Sequence, residues 1–315
     1  MWVSFFHPSR DDRDIFVSEV DDRRSWTLNR RLEFVEWKLF WEGRLNRNDL
    51  EETFAISTPQ ASVDLRHYRD LAGENIEYNA TEKSYLPTKS MRPRFLRVSA
   101  NRILLQLRAF LTGALQREDL WYRDLPAVDM APDIVRHVDA DLLRAVLAAI
   151  RSRQAVDVRY QSLTSSRWRA IAPHALAFDG YRWHLRAWCC ERADFRDFVL
   201  TRIDELGAMR PADYDPEDDV EWTTKATLKL CPHPGLSEEQ RQAIQRDYSM
   251  VDGCRDIELR LSMAYYFIMR MNLDLKDLPP ARAQIALQNL EEIQVAIQKA
   301  KVASKERAEA RLSRA

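Results

Sequence analysis

The hydrophobic pattern of this chain changes its period at Ser152. Before that residue, apolar side chains recur every three to four positions, as in the series Leu28, Leu32 and Val35. After it, apolar and polar residues alternate, first over residues 156–160. These periods are those of a helix and of a strand. Two periods in separate stretches predict an α+β protein of several domains, and 315 residues exceed what one core usually holds.

The overall charge of the chain points to no particular partner. Lys and Arg total 48 against 49 Asp and Glu, so a nucleic acid or membrane would have to be met by a local patch. A hydrophobic content of 45% excludes wholesale disorder. No apolar run approaches the roughly 18–20 residues of a membrane span, and the N-terminus lacks the features of a signal peptide. We therefore expect a cytoplasmic protein with no membrane partner.

Motifs of cofactor-dependent enzymes are missing from the sequence. With only seven glycines, the chain has no dinucleotide fingerprint, no P-loop and no nucleophile elbow. The four cysteines form no C-x-x-C pair and are expected to be small buried residues, and the histidines lack metal-ligand spacing. We expect no cofactor and no metal. A nuclease or hydrolase using His174 and His184 with Asp179 or Asp197 is the weakest alternative, because paired carboxylates at metal spacing are missing.

The region after the N-terminal arm, which spans residues 1–24, has the element order of a winged helix-turn-helix over residues 25–91. A first helix ends near Gly43, and a short second helix opens at residues 48–51. The S-x-x-Q box at residues 57–60 opens a third helix, and two short strands joined by a polar turn follow it.

The exposed side of the third helix and the hairpin behind it suit duplex DNA. A helix fits the major groove, and small polar side chains at its start reach base edges or phosphates. The alternative is a small helical bundle for protein contacts, in which Thr58 and Gln60 are only first-turn residues. The predicted DNA-binding residues are Ser57, Thr58, Gln60, Ser62, Arg66, His67, Lys83 and Tyr85.

After a helical linker over residues 92–139, short strands dominate a third region, residues 140–208. The dipeptide Asp179-Gly180 between two alternating runs is the strongest hairpin signal in the chain. Closely spaced short strands predict a small, strongly curved sheet or barrel. Alternation places Arg182, His184 and Arg186 together on one face of it.

Arginine is concentrated in this region, since residues 151–210 hold eleven arginines and no lysine. A guanidinium offers a rigid fork that matches phosphate or carboxylate oxygens and a plane that stacks on bases. The pattern therefore favours an anionic or nucleotide-like ligand. Alternatives are a solvated face, a module that grips single-stranded nucleic acid, or a ligand-controlled activator of a partner enzyme.

Three stretches of this region resemble a WYL domain: residues 169–176, 180–185 and 195–203. The triplet Trp-Tyr-Leu that gives the domain its name stands here as Trp183-His184-Leu185. Together with residues 57–62 and 83–85, the chain resembles, over residues 25–280, the WYL-domain transcriptional repressors found beside bacterial phage-defence operons of the BREX and CBASS types.

The resemblance implies a homodimeric regulator with a winged helix-turn-helix, an Sm-like small β-barrel that senses a ligand, and a C-terminal extension. On this similarity the ligand-binding residues are Tyr160, Ser162, His174, Arg186, Arg196 and Arg202, in addition to Arg182 and His184 from the alternation. The hypothesis is that a dimer presents two recognition helices to a palindromic operator, and that ligand capture respaces them and releases the promoter.

The remaining residues predict a small α/β extension over residues 209–278 and a long helix over 279–315. Pro279-Pro280 is expected to begin the helix, and its apolar stripe is Ala286, Leu290, Ile293, Ile297 and Ala300. The charged end from Lys301 onward is expected to fray. The stripe suits docking within one subunit and pairing with a second subunit equally well.

Overall fold

A computed structural model describes residues 25–132, 134, 136–275, 278–280 and 282–313. The chain divides into two compact units, residues 1–134 and 135–315. The predicted arm, residues 1–24, lies outside the described residues. In the part of the chain that the structure describes, no helix has both the length and the apolar character needed to cross a membrane.

The first unit contains the predicted helices and hairpin. Helix α1 covers residues 25–37 and continues as a π-helix, Lys38–Glu42, which ends at Gly43 with a φ of 71°. Asn46 caps the second helix, two residues before the predicted start, and Ser57 caps the third as predicted. The remaining elements are α2 (Arg47–Phe54), α3 (Thr58–Ala72), β1 (Ile76–Asn79), β2 (Ser84–Pro87) and α4 (Ala100–Leu111).

The core of this unit explains why α3 keeps one face free. Ala61, Leu65, Tyr68 and Ala72 are buried at helical spacing, against Leu50 of α2 and the buried side of α1. The opposite side of α3 carries polar and basic residues and stays exposed. The hairpin β1–β2 pairs Tyr78 with Tyr85 and closes beside that exposed side.

The second unit begins with a helix that packs on a five-stranded antiparallel sheet in the order β6-β5-β4-β3-β7. Its elements are α5 (Ala140–Ser152), β3 (Gln154–Gln161), β4 (Ser166–Phe178), β5 (Trp183–Cys189), β6 (Asp194–Val199) and β7 (Ile203–Pro211). The predicted Sm-like barrel is not confirmed, because β6 and β7 are opposite edges and do not pair within the described residues. The pairing of β4 with β5 is irregular between Pro173 and Ala175. A C-terminal helix, α9 (Leu290–Leu312), lies against β6.

The C-terminal part is the predicted small α/β extension, built on a sheet in the order β10-β8-β9. Its elements are α6 (Val220–Thr223), β8 (Lys225–Pro232), α7 (Glu238–Asp247), β9 (Arg255–Arg260), α8 (Leu261–Arg270), β10 (Ile285–Leu287) and α9 (Leu290–Leu312). Strand β10 was not predicted. It forms because Ile285 and Leu287 alternate in burial and pair with β8.

The final helix differs from its prediction at both ends. It begins at Leu290 rather than at Pro279-Pro280, because Ala286 belongs to β10. The expected fraying after Lys301 is wrong, since the helix continues to Leu312 with Ser304 and Ala308 buried. Helix α9 contacts α6, α8, β6 and β8 of its own subunit.

The cysteines correct one expectation. Cys231 at the end of β8 and Cys254 ahead of β9 form a cross-strand disulfide instead of two isolated thiols. Cys189 is a buried core residue of the five-stranded sheet, as expected, whereas Cys190 is exposed.

Candidate functional site

A groove of about 470 Å³ runs between helix α3 and the β1–β2 hairpin of the first unit. Among the described residues, its walls carry four cationic side chains and no acidic one. Two tyrosines, Tyr78 and Tyr85, add flat apolar surface, and their ring centroids lie 5.1 Å apart. The lining consists of Arg47, Ser62, Leu65, Arg66, Arg69, Tyr78, Lys83 and Tyr85.

Local structure fixes the positions of these side chains. The Ser62 hydroxyl donates to the carbonyl of Thr58 at 2.8 Å and accepts from Nη1 of Arg47 at 3.1 Å, which ties α2 to the exposed face of α3. Lys83 occupies a left-handed turn position with a φ of 51°, and this turn places its side chain at the mouth of the groove.

Four of the predicted DNA-binding residues therefore line the groove: Ser62, Arg66, Lys83 and Tyr85. Of the other four, Ser57, Thr58 and Gln60 lie at the start of α3, and His67 lies in its second half. Ser57 accepts from the backbone amide of Gln60 as the helix cap, Thr58 donates to Glu51, the Gln60 amide donates to Asp64, and His67 is half-buried.

Four lining residues were not among the predicted DNA-binding residues: Leu65 from the buried stripe of α3, and Arg47, Arg69 and Tyr78. Arg69 follows Arg66 by three positions and so lies on the same helical face, a signal that was present in the sequence. Arg47 was hidden because it belongs to a different helix, and only the packing of α2 on α3 brings it to the groove.

A buried carboxylate anchors the segment that leaves the hairpin. Glu36 of α1 is fully buried and accepts three successive main-chain N–H groups, those of Arg94, Phe95 and Leu96, at 2.7–2.8 Å. The hydroxyl of Tyr68 in α3 donates to the same carboxylate at 3.2 Å. This single side chain thus joins α1, α3 and the start of the predicted linker.

The second unit contains a larger cleft of about 610 Å³ between the WYL-like sheet and helices α8 and α9. The β5 and β6 strands form one wall and the C-terminal extension forms the other. Its lining includes Arg186, Arg196, Asp197, Glu221, Ser262, Tyr265, Tyr266, Lys301 and Lys305. The cleft is therefore bordered by basic, acidic and aromatic groups from three parts of the chain.

Arg186 lies at the back of this cleft in a cage of carboxylates. Only 3% of the residue is exposed. Its Nε and Nη2 donate to the two oxygens of Asp219 at 2.7 and 2.8 Å. Nη2 also donates to Glu221 at 2.9 Å, and Nη1 lies 3.4 Å from an oxygen of Asp197. The Nε2 atom of His174 lies 3.0 Å from Oδ2 of Asp219, the oxygen that also accepts from Nε of Arg186.

The pKa values of Asp219 and Glu221, two acids of this cage, are shifted in opposite directions. Burial opposes ionisation of Asp219, but hydrogen bonds from Arg186 and His174 prevail and hold its pKa below the ordinary value. Burial dominates at Glu221 and raises its pKa, even with Arg186 beside it. Burial and the neighbouring Asp197, which accepts from the Tyr266 hydroxyl at 2.9 Å, raise the pKa of Tyr266.

His184, which stands where WYL domains have tyrosine, is buried beside the cage. Its Nε2 lies 2.8 Å from Asp179, and its ring packs against that of Tyr266 with the centroids 4.6 Å apart and the ring planes tilted by 40°. Burial would raise the pKa of Asp179, but hydrogen bonds from His184 and from the amides of Tyr181 and Arg182 lower it to about 2. The Nε of Arg182 also donates to Asp179.

The structure brings some of the predicted ligand-binding residues together. Arg186 and Arg196 line the cleft, and His174 supports Arg186 through Asp219. Arg196, however, is held by both oxygens of Asp194. Arg182 and His184 share Asp179 in the adjoining network.

The other predicted ligand-binding residues lie elsewhere. Tyr160 is part of the sheet core, and its hydroxyl accepts the amide N–H of Val199. Ser162 stabilises the turn between β3 and β4 through its hydroxyl. Arg202 is half-buried in the 3₁₀ turn after β6. Asp219, which holds Arg186, was not among the predicted ligand-binding residues. Neither were the polar and aromatic-hydroxyl residues of the cleft lining Asp194, Asp197, Glu221, Ser262, Tyr265, Tyr266, Lys301, Ser304 and Lys305.

Family models match three separate stretches of the chain. They are the BrxR transcriptional regulator winged helix-turn-helix domain over residues 27–120, the WYL domain over 141–207, and the BrxR transcriptional regulator C-terminal dimerization domain over 225–293. With the groove beside α3 and the cleft beside the WYL sheet, these matches define the class of the protein. It is a winged-helix transcriptional regulator with a WYL domain.

Full-length relatives specify the family. The DNA-binding transcriptional repressor CapW of Stenotrophomonas maltophilia is 39% identical over 275 residues, covering 85% of this chain and 91% of the relative. CapW of Pseudomonas aeruginosa is 38% identical over 283 residues, covering 87% and 93%. The chain belongs to the CapW family of DNA-binding transcriptional repressors, which are regulators rather than enzymes.

A solved structure was also matched. The proteasome accessory factor B/C of Arthrobacter aurescens aligns with 86% of this chain and 46% of its own length, at 14% identity and a TM-score of 0.29. The chain thus spans about half the length of that protein.

Proposed function

We propose that this protein is a cytoplasmic, homodimeric, sequence-specific DNA-binding repressor of a phage-defence operon. The observation that carries the DNA-binding part is the groove of α3 and the hairpin, with four cations and no acid on its walls. Phosphate contacts supply most of the affinity for duplex DNA, and a recognition helix in the major groove supplies base contacts. The match of residues 225–293 to a dimerization domain supports pairing, and a symmetric dimer fits a palindromic operator.

We propose further that the cleft beside the WYL sheet receives an anionic or nucleotide-like ligand that controls operator binding. Support comes from the chemistry of the cleft mouth. Lys301 and Lys305 on α9 and Arg196 on β6 border it, and Tyr265 offers an exposed ring for stacking. The volume of the cleft is within the range of small-molecule sites.

The DNA-binding proposal is tested with two arginine variants and a matched control. Arg66→Ala and Arg69→Ala remove groove cations. The control, Arg144→Ala, removes an exposed arginine side chain from α5 in the other unit. Fluorescence anisotropy is measured on the duplex upstream of the protein's own gene, on an unrelated duplex and on its single strand.

We expect the groove variants to lose about tenfold or more in affinity for the upstream duplex while the control binds as the parent does. If Arg66→Ala and Arg69→Ala bind like the control, the groove is not the DNA-binding site. If the single strand is preferred, the protein is a single-strand-binding module instead.

A further inference from the structure

The cage around Arg186 has an unusual origin. The WYL-matched region ends at residue 207, yet two of the three caging acids, Asp219 and Glu221, come from the segment that leads into the C-terminal extension. The downstream segment therefore reaches back and occupies an arginine of the sheet. Glu221 and Arg186 both face the cleft in which an anion is proposed to bind.

The cage holds more acid than its arginine can neutralise. One guanidinium faces the carboxyl groups of Asp219, Glu221 and Asp197. Asp219 already provides the two-oxygen fork that matches a guanidinium best. Glu221 shares Nη2 with Asp219, and it is the acid whose pKa burial raises, whereas hydrogen bonds outweigh burial at Asp219. The desolvation cost of a buried charge is repaid only when its geometry and hydrogen bonds are good, so Glu221 is the weaker partner of Arg186.

The lining of the cleft also includes a buried hydroxyl group that has no hydrogen-bond partner among the described residues. Ser262 at the start of α8 is only 6% exposed, and its hydroxyl oxygen has no hydrogen-bond partner in the described part of the chain. A buried hydroxyl without a partner costs free energy that an entering acceptor would recover. Lys301 lies in the same lining.

On the basis of the proposed ligand-sensing function, we propose that Glu221 is a built-in pseudo-ligand: it occupies on Arg186 the position of the anionic ligand. A polyphosphate-like ligand entering the cleft then takes the Nη2 donor of Arg186 and the hydroxyl of Ser262, and Glu221 leaves. Because Glu221 belongs to the single-turn helix α6, the exchange removes one of the two acids that hold α6 to the sheet and leaves only the cap residue Asp219 on Arg186, so α6 is held less firmly.

Helix α6 is joined to the C-terminal extension by two sets of contacts. The amide of Val220 donates to the Ser304 hydroxyl of α9 at 2.9 Å. Arg260 at the end of β9 donates to the carbonyl of Trp222 and stacks on its indole ring at 4.7 Å. Residues on both sides of Glu221 thus hold elements that lie in or beside the region matched to a dimerization domain. Ligand binding and dimer geometry are coupled if the ligand prefers the state in which Glu221 has left Arg186.

The test compares Glu221→Gln with the matched control Glu217→Gln, which neutralises an exposed acid four residues earlier in the same segment. The probe is inorganic pyrophosphate, titrated by calorimetry into the full-length protein. Hydrogen–deuterium exchange of residues 219–224 is followed with and without the probe. A second variant, Ser262→Ala, tests the unsatisfied donor without altering the cage.

We expect pyrophosphate to bind Glu221→Gln about tenfold more tightly than it binds the parent or Glu217→Gln, because the competing charge is gone. Ser262→Ala should bind it several-fold more weakly. In the parent, the probe should speed exchange at residues 219–224. In Glu221→Gln that exchange should already be fast without it.

Equal affinities for the parent and Glu221→Gln, or exchange at residues 219–224 that slows on binding, would overturn the pseudo-ligand while leaving the cleft as a ligand site. If pyrophosphate binds neither the parent nor Glu221→Gln, both the pseudo-ligand and the proposed anion-sensing function fall, since the variant leaves the guanidinium available. DNA binding by the groove is judged independently by the arginine variants.

Discussion

The guanidinium of Arg186 on β5 and the carboxylate of Asp219 ahead of α6 form a two-point hydrogen-bonded pair, buried from solvent and 33 residues apart in sequence. The pair joins the WYL sheet to the segment that enters the C-terminal extension. Removing one partner of such a pair leaves a buried charge without compensation, which is far more costly than losing a surface ion pair.

Asp219→Asn is therefore expected to destabilise the fold by about 3 kcal/mol at neutral pH. The native pKa of Asp219 is lowered, so its ionised form contributes stability above the ordinary pKa, and this contribution disappears as the pH falls through the native pKa. Urea unfolding of the parent and the variant at pH 7 measures the difference.

Glu221→Gln is expected to change the free energy of global unfolding by less than about 1 kcal/mol in the same measurement, because burial raises the pKa of Glu221 and its charge therefore adds little to stability. Glu217→Gln serves as the surface control. Equal losses for Asp219→Asn and Glu221→Gln would contradict the unequal roles assigned to the two acids.

Asp179 predicts a pH dependence at acid pH. Its native pKa of about 2 lies below the ordinary 3.8, which corresponds to about 2 kcal/mol of stability that is present above pH 4 and is lost as the pH falls toward 2. Unfolding of Asp179→Asn should therefore differ from that of the parent at pH 6 by about this amount. The two curves should converge toward pH 2, and a constant difference would refute the assignment.

Lys83→Gly separates the fold of the hairpin from its charge. Lys83 has a left-handed backbone, which glycine adopts without strain, so hairpin stability should be unchanged or rise by up to about 1 kcal/mol. The loss of one groove cation should weaken binding to the upstream duplex and lower the slope of log affinity against log salt by about one. Weaker binding with an unchanged slope would show that Lys83 contacts no phosphate.

Glu36→Gln tests the buried carboxylate of the first unit. The amide group of glutamine would face main-chain N–H groups that now donate to an oxygen, so a loss of about 2 kcal/mol or more is expected. Glu52→Gln, on the exposed surface of α2, is the control and should be within about 0.5 kcal/mol of the parent. Thermal unfolding monitored by circular dichroism measures both.

Alternation along β5 predicted correctly which side chains share a face, but it did not predict that both faces are buried. Alternation placed Leu185 opposite His184 and Arg186, and the structure agrees, with Leu185 in the sheet core. The arginine face was expected to meet solvent or ligand. It is covered instead by segments some 30 or more residues downstream, as with Asp219, and such long-range covering leaves no periodic signal in the strand itself.

Contacts between segments distant in sequence also explain why the last helix begins at Leu290 and not at Pro279-Pro280, where it was predicted to begin. Apolar residues at 286, 290, 293 and 297 satisfy a helical period, but Ala286 belongs to a three-residue strand that exists only because β8 presents a free edge to it. Local spacing cannot distinguish these cases. The helices of the first unit were predictable because Ser57, Gly43 and the apolar stripe of α3 mark ends and faces through local contacts.

Arg311, in the last turn of α9, pairs with Asp213 at 2.5 Å and with Asp218 at 2.7 Å, immediately ahead of α6. The segment that leads into α6, residues 213–221, is thus held to the sheet by Arg186 and to the last turn of α9 by Arg311. A purification tag fused behind residue 315, or proteolytic removal of the last turn of α9, would act on the segment proposed to respond to the ligand, although it lies almost a hundred positions away in sequence.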